Sequence, residues 1–387
     1  MIVAVPRETC TVERRVAVVP AGVAAITKRG ISCQIETSAG ASAGFSDDAY
    51  REAGAQIVSD RKTLFQAADV VLQVRTLGAD PGAATTDLDN LKPETVVIGT
   101  ADPLGNPAAA TEYASRKLTL FALELLPRIS RAQSMDVLSS MATVAGYKAV
   151  LLAAHELPKM FPLLMTAAGT QKPARVLVIG AGVAGLQAIA TARRLGAVVQ
   201  AYDVRPAARE QIESLGASAV ELNLATDDAE DKGGYAKALS AEQEDGQREQ
   251  LGKVVAECDV VITTAAIPGR RSPLLITKKA VASMQTGSVV VDLAAERGGN
   301  CEFTQPDQTI EHQGVKIFGP TDLPSTAPLS ASQMYSTNVV NFLSLLAKEG
   351  ELVIDTEDEV IRDTLVTRGG EITNDRIRQL IADATNT

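Results

Sequence analysis

Apolar and polar positions along this chain follow two rhythms that take turns. Short apolar runs rich in β-branched residues read as strands: Ile2–Val5, Ser32–Glu36, Val70–Val74, Val96–Gly99 and Thr119–Ala122. Between them, Pro20–Arg29, Asp47–Ala53, Asp60–Ala67 and Pro107–Arg116 carry helical spacing, the first opened by a proline. That alternation predicts a parallel sheet with helices on both faces. A long helix is expected over Val137–Leu157. A second strand series then follows at Val176–Ile179, Val198–Tyr202, Ser218–Glu221, Val260–Thr264, Val289–Leu293 and Val315–Phe318. The first of them, Val176–Ile179, is apolar without interruption, as in a strand buried on both faces. Pro324–Ala347 reads as a loop and helix, and residues 348–387 are too few for a third domain. The helix is therefore expected to cross back, giving domains of 1–137 plus 328–387, and 138–327.

The stretch RVLVIGAGVAGLQAIATARRLGAVVQAYD, Arg175 to Asp203, is the chemical centre of this pattern. Gly180, Gly182 and Gly185 stand at G-x-G-x-x-G spacing between a strand and a helix, and Asp203 closes the next strand about 20 residues on. Gly180 permits a tight turn, Gly182 lets a pyrophosphate approach the backbone, and Gly185 lets helix and strand pack. Val183 and Ala184 open the helix, whose free N–H groups would hold phosphate charge. Asp203 can accept from a ribose 2′-hydroxyl. Strand, glycines, helix, strand and acid in one register point to a dinucleotide; a ligand-free glycine turn is the alternative. The predicted fold class is α/β, with two doubly wound, Rossmann-like domains of mainly parallel sheets.

Composition narrows the classes. At 387 residues, 45% hydrophobic and 22% charged, the chain is globular. A net charge of −10 without a basic block argues against nucleic acid. Met1–Pro6 reads directly as a first strand rather than a signal peptide, and the most lipid-like stretch, Ala149–Ala168, is interrupted by His155, Glu156, Lys159 and two prolines. Cys10, Cys33, Cys258 and Cys301 lack C-x-x-C spacing, as expected of reduced cytoplasmic thiols, and no metal-ligand pattern is present. His155 and His312 are the only histidines.

Several loops carry candidate chemistry. Glu8–Pro20 brings Arg14 and Arg15 to the end of the first strand, either as a ligand contact or as a solvated pair. Gly78–Asn90 reads as a polar turn region. Leu126–Asp136 gathers Arg128, Gln133 and Asp136 after a strand, as a functional or an ordinary surface loop. Asn223–Gln250 is acidic, poor in large apolar residues and centred on Gly233-Gly234-Tyr235, so it is expected to pack loosely. It is either an idle insertion or a loop that closes over the site. TTAAIPG and DLAAERGG lie at the expected cofactor edge of the second sheet.

These motifs resemble the alanine dehydrogenase and pyridine nucleotide transhydrogenase superfamily, from VPRE and ERRVAVVP near the N-terminus to DLAAERGGN and the returning helix. PRISRAQSMDVLSS, TAAGTQKPARVLVIGAGVAGLQAIATARRLGA, GGYAKAL and TTAAIPG resemble the NAD(H)-binding domain I of proton-translocating transhydrogenase. The resemblance implies that Arg128, Gln133 and Asp136 position the nicotinamide and its ribose. It implies that Gly234 and Tyr235 belong to a mobile loop. Asp203, Val204 and Arg205 would hold the adenosine side, and Gln247 and Ala266 would line the nucleotide. Ala266 stands where the family commonly has a larger aliphatic residue, and nothing is carried over beyond Phe342. Partners implied are membrane-spanning and NADP(H)-binding subunits, with a homodimer of this chain held peripherally at the cytoplasmic face of the inner membrane.

The residues themselves favour one reaction within that superfamily. Reducing pyruvate to alanine needs a proton donor, commonly Lys or His at first-domain strand ends. The matching places, Leu72–Thr76 and Ile98–Asp102, contain neither, although Arg15 matches a carboxylate-binding arginine. Hydride transfer from NADH to NADP⁺ needs no general acid, only two rings held face to face. Expected alternatives are an alanine dehydrogenase-like enzyme and a non-catalytic NAD-sensing module.

Overall fold

The computed structural model describes residues 1–80, 85–222, 240–267, 269–348 and 350–385. The chain forms two compact units, Met1–Met141 with Pro324–Thr387, and Ala142–Leu323. The boundary therefore falls inside the helix Val137–Glu156 rather than at its start.

The first unit holds an eight-stranded sheet. Its spatial order is Glu371–Ile372, Leu365–Arg368, Thr119–Ala122, Val96–Thr100, Val70–Arg75, Ile2–Val5, Ser32–Glu36 and Gln56–Val58. The six N-terminal strands are parallel. The chain order reverses between Ile2–Val5 and Val70–Arg75, which leaves a crevice at their carboxyl ends. Residue alternation sorts the faces. Val3, Val5, Leu72, Ile98 and Phe121 pack on Val23, Ile26, Tyr335, Val339 and Phe342. Ala4, Val71, Val97 and Leu120 pack on Leu64, Phe65, Tyr113 and Ile377.

The returning helix, Pro328–Leu346, is thus the core of the first unit's inner layer. Phe342 meets Phe121 edge to face at 5.4 Å, and the Tyr335 hydroxyl donates to the Gln73 carbonyl at 2.8 Å. Residues beyond it do more than trail off. Leu365–Arg368 pairs antiparallel with Thr119–Ala122 and extends the sheet, because the parallel set leaves that edge open.

The second unit holds seven strands in the order Ser218–Ala219, Val198–Tyr202, Arg175–Ile179, Val260–Thr263, Val289–Asp292, Val315–Phe318 and Thr309–His312. Six were expected. The seventh, Thr309–His312, turns back on Val315–Phe318 through Gln313 and Gly314, both at positive φ (51° and 77°), as a two-residue hairpin requires. Chain order reverses between Arg175–Ile179 and Val260–Thr263, next to the glycine turn. Small residues let the helix Val183–Arg194 and the linking helix approach the sheet: Ala188, Ala192, Ala149 and Ala153 are fully buried there. The linking helix has the length and apolarity of a membrane span, but Ala149, Val150 and Ala153 sit in this core.

Two expectations need correction. The loose packing expected over Asn223–Gln250 fails at its C-terminal end, where Ala241–Val255 is a helix. Ser240 and Gln243 form a capping box, and Leu251 and Val255, four residues apart, anchor one face in the core. Residues 223–239 lie outside those described. Within Gly78–Asn90, Thr86–Asp89 makes a helical turn whose Asp87 receives the Arg61 guanidinium at 2.7 Å and 2.9 Å.

Candidate functional site

The glycine turn is built as its spacing implies. Gly180 sits at φ 96°, donates to the Tyr202 carbonyl at 2.8 Å, and has no room for a side chain beside Thr264 Oγ1. A Cβ on Gly185 would lie 1.8 Å from the Gly180 carbonyl oxygen, so helix and strand touch there backbone to backbone. Gly182 is the opposite case. It caps the helix Val183–Arg194 in an extended conformation, and among the described residues a Cβ on it would meet nothing within 4 Å. The first helical turn contains no acidic residue and no side chain caps it, so its N–H groups face that open space. Val183 is exposed and Ala184 half-buried. A helix N-terminus open in this way suits a phosphate ester.

Asp203 ends the second strand and is largely buried. Its Oδ2 accepts the Ala181 N–H at 2.7 Å, which ties it to the glycine turn. Arg205 closes on the same carboxylate through its backbone N–H, Nε and Nη2, each at 2.9 Å. Val204 is half-buried between them. These four bonds fill the acceptor sites of the carboxylate, two on each oxygen, so a ribose hydroxyl can be received only in exchange for one of them. Gln247, 5% exposed, donates to the Tyr202 hydroxyl at 2.9 Å from the helix Ala241–Val255.

The opposite wall was only partly legible. Asp292, fully buried at the end of its strand, accepts from Thr263 Oγ1, Thr304 Oγ1 and the backbone N–H groups of Ala294, Asn300 and Cys301, at 2.6–3.0 Å. Asn300 then grips Ala265 on both sides: its Nδ2 donates to the Ala265 carbonyl at 2.8 Å and its Oδ1 accepts the Ala265 N–H at 3.1 Å. This fixes the loop that presents Ala266, which is exposed. DLAAERGGN marks the segment in the sequence, but the double grip follows from the fold. Gly234 and Tyr235 lie outside the described residues.

In the first unit, the loop after Thr119–Ala122 winds into a 3₁₀ helix, Ser130–Met135. Arg128 and Gln133 are exposed, whereas Ala132 and Met135 are buried. Asp136 caps the linking helix: Ser139 N–H donates to Oδ1 at 2.9 Å and Ser139 Oγ to Oδ2 at 2.5 Å. These two bonds make it a joint of the backbone.

Of the two neighbouring arginines, Arg14 is exposed and Arg15 is not. Arg15 is 7% exposed, and Glu13 takes its guanidinium at two points, 2.6 Å and 2.5 Å, with Arg75 Nε at 3.1 Å. Burial alone would raise the Glu13 pKa; the Arg15 guanidinium reverses this and holds the carboxyl below its usual range. Nearby, Glu8 accepts from the N–H groups of Val74 and Arg75, and Glu124 from those of Ala101 and Asp102. Burial pushes Glu8 up to about 8 and Glu124 up to about 7.

Fold and turn together define a two-unit α/β protein with one dinucleotide-type glycine turn. Two family models match it nearly end to end: Alanine dehydrogenase/PNT, N-terminal domain, over residues 4–145, and Alanine dehydrogenase/PNT, C-terminal domain, over residues 149–375. The chain belongs to the alanine dehydrogenase/PNT family. It is 45% identical over 376 residues to an NAD(P) transhydrogenase subunit alpha polypeptide of Rhodospirillum rubrum, covering 96% of this chain and 97% of that one. Among solved structures it is similar to a transhydrogenase from Sinorhizobium meliloti, at TM-score 0.86 and 42% identity over 96% of this chain and all of the other. An L-alanine dehydrogenase aligns at TM-score 0.82 and 25% identity, over 99% of each chain.

Proposed function

We propose that the chain is the NAD(H)-binding subunit of a proton-translocating NAD(P) transhydrogenase. It passes hydride between NADH and NADP⁺ held by a partner subunit. The observation that carries this is a dinucleotide turn in a chain whose first unit contains no histidine, since His155 and His312 both fall in the second. The 45% identity to a transhydrogenase subunit supports the same choice.

The bound nicotinamide would supply the hydride. Around it, the N–H groups at Gly182–Ala184 would hold the pyrophosphate, and Asp203, Val204 and Arg205 the adenosine end. Gln247 would brace that wall through Tyr202. Ala266, with Gly234 and Tyr235, would line and cover the nucleotide. Arg128 and Gln133, exposed on the Ser130–Met135 loop and its approach, would orient the ring, with Asp136 fixing the backbone beside them. Transfer between two rings releases no proton at carbon, so orientation and exclusion of water are the main demands. Proton movement, the NADP(H) site and membrane attachment would belong to partner subunits. This chain would sit as a homodimer on the cytoplasmic face.

Glu8 and Glu124 make alanine dehydrogenase activity the reaction to exclude, because both are held near neutrality at first-sheet strand ends. Each receives two backbone N–H groups, which suits a structural role. The deciding experiment mixes the purified chain with an NADP(H)-binding transhydrogenase subunit and follows transfer between NADH and an NADP⁺ analogue. Transfer is expected, and the chain alone is expected to make no alanine from pyruvate, ammonia and NADH. Alanine formation at ordinary enzymatic turnover overturns the assignment. Stoichiometric NADH binding without transfer, even with the partner, favours a sensing module instead.

A further inference from the structure

The Ser130–Met135 loop is held at two points by the C-terminal segment of the chain. Ser134 carbonyl accepts from Asn338 Nδ2 at 2.9 Å and from Asn341 Nδ2 at 3.1 Å. A carbonyl oxygen has two lone pairs, so one amide on each saturates it. The two asparagines stand three residues apart on the returning helix and therefore share a face. One turn earlier in the loop, Arg131 forks onto Asp358, Nη1 to Oδ2 at 2.7 Å and Nη2 to Oδ1 at 2.8 Å. Asp358 in turn caps the helix Glu359–Thr364 through the Val360 N–H.

The inner side of the loop is already fixed by packing. Ala132 and Met135 are 2% and 5% exposed, and in a 3₁₀ helix residues three apart eclipse, so both enter the core. Packing alone would leave no need for asparagine at 338. That residue is 5% exposed, and its Oδ1 has no hydrogen-bond partner among the described residues. A buried amide with one orphan atom costs stability that an apolar residue of similar volume would not. What the amide does reach is the Ser134 carbonyl. The base it stands on is rigid, since Tyr335, Val339 and Phe342 of the same helix are fully buried.

We infer that Asn338 and Asn341 are positioning residues for hydride transfer: they fix the peptide plane next to Gln133, with Arg131–Asp358 as the second tether. This rests on the reading that Arg128 and Gln133 orient the nicotinamide. Without the amides, the Ser134–Met135 peptide can rotate and carry Gln133 with it. Nucleotide affinity is held elsewhere, at the glycine turn and Asp203, so the effect falls on the transfer step.

The test uses the full chain with an NADP(H)-binding subunit. Asn341→Ala, at an exposed-side position of the helix, and Asn338→Leu are each compared with Gln133→Ala. Single-turnover transfer should fall by about 10-fold or more in all three, because transfer is steep in geometry. NADH affinity, read by fluorescence, should change by less than about twofold. Exchange of the amides from Ala132 to Val137 should quicken in the two asparagine variants. If Asn338→Leu does not fold, Asn341→Ala and its exchange profile decide alone. Full-rate transfer by Asn341→Ala beside a slow Gln133→Ala overturns the inference and leaves the functional reading standing. Full-rate transfer by Gln133→Ala overturns the reading of the loop, and the inference with it.

Discussion

Arg205 closes on the Asp203 carboxylate two residues before it, Nε to Oδ1 and Nη2 to Oδ2, both at 2.9 Å. A guanidinium at the ribose end of a dinucleotide site can accept a 2′-phosphate, and an acid there repels one. Here the acid occupies the cation, so NADH should bind more tightly than NADPH. Asp203→Ser removes the repulsion and releases Arg205 from the carboxylate, which should weaken NADH and narrow the preference by about 10-fold or more, since about 1.4 kcal/mol corresponds to tenfold. Fluorescence titration with both reduced nucleotides checks this. Tighter NADPH binding by the unaltered chain, or an unchanged ratio in the variant, would count against it.

Gly182 and Gly185 should separate binding from folding. Among the described residues a methyl on Gly182 meets nothing, so Gly182→Ala should leave stability within about 0.5 kcal/mol. The same methyl fills the place where a pyrophosphate would approach, and NADH affinity should drop by about 10-fold or more. Gly185→Ala drives a methyl into the Gly180 carbonyl and should destabilise by about 1–3 kcal/mol whatever the ligand. Thermal melts beside NADH titrations read both. Normal NADH binding by a folded Gly182→Ala chain would remove the phosphate site.

Gly146 on the linking helix presses on the same turn from behind, within the second unit. A Cβ there would lie 2.1 Å from the Ala184 carbonyl oxygen. Alanine favours a helix over glycine by about 1 kcal/mol, but the contact is with backbone and cannot yield by a rotamer change. Gly146→Ala should therefore lower the melting temperature and weaken NADH together. An increase in melting temperature would mean that the helices part without cost.

Glu124 should give stability a defined pH dependence. Its Oε1 accepts two N–H groups, its Oε2 has no partner among the described residues, and burial raises its pKa from 4.5 to about 7. Between those values the folded chain keeps a proton that the unfolded chain releases. The contribution is complete below about pH 4.5 and is lost as pH rises to about 7. Glu8, raised to about 8 by burial, extends the window. Glu124→Gln mimics the neutral acid. It should match the unaltered chain at pH 5 and melt a few degrees higher at pH 8. A difference independent of pH would show that Glu124 is ionised throughout.

The two sheets, five strands of the first, six of the second and the glycine turn were legible in the order of residues alone, whereas Gln56–Val58, Thr309–His312, Leu365–Arg368 and Glu371–Ile372 were not. Each legible feature is written in close neighbours: apolar runs for buried strands, three glycines for a backbone approach, an acid closing the next strand. Even the helix Pro328–Leu346 announced its return by apolar spacing and by the few residues left after it. What joins distant segments emerged with folding. Asn338 and Ser134 are 204 residues apart, and no local pattern says that an amide on one helix meets a carbonyl on another loop. The same holds for Asn300 on Ala265, for Arg15 drawn into a buried pair with Glu13 and Arg75, and for Gly146 against Ala184. Such contacts are set by register and close packing after the chain has folded, and alternation of apolar and polar residues does not encode them.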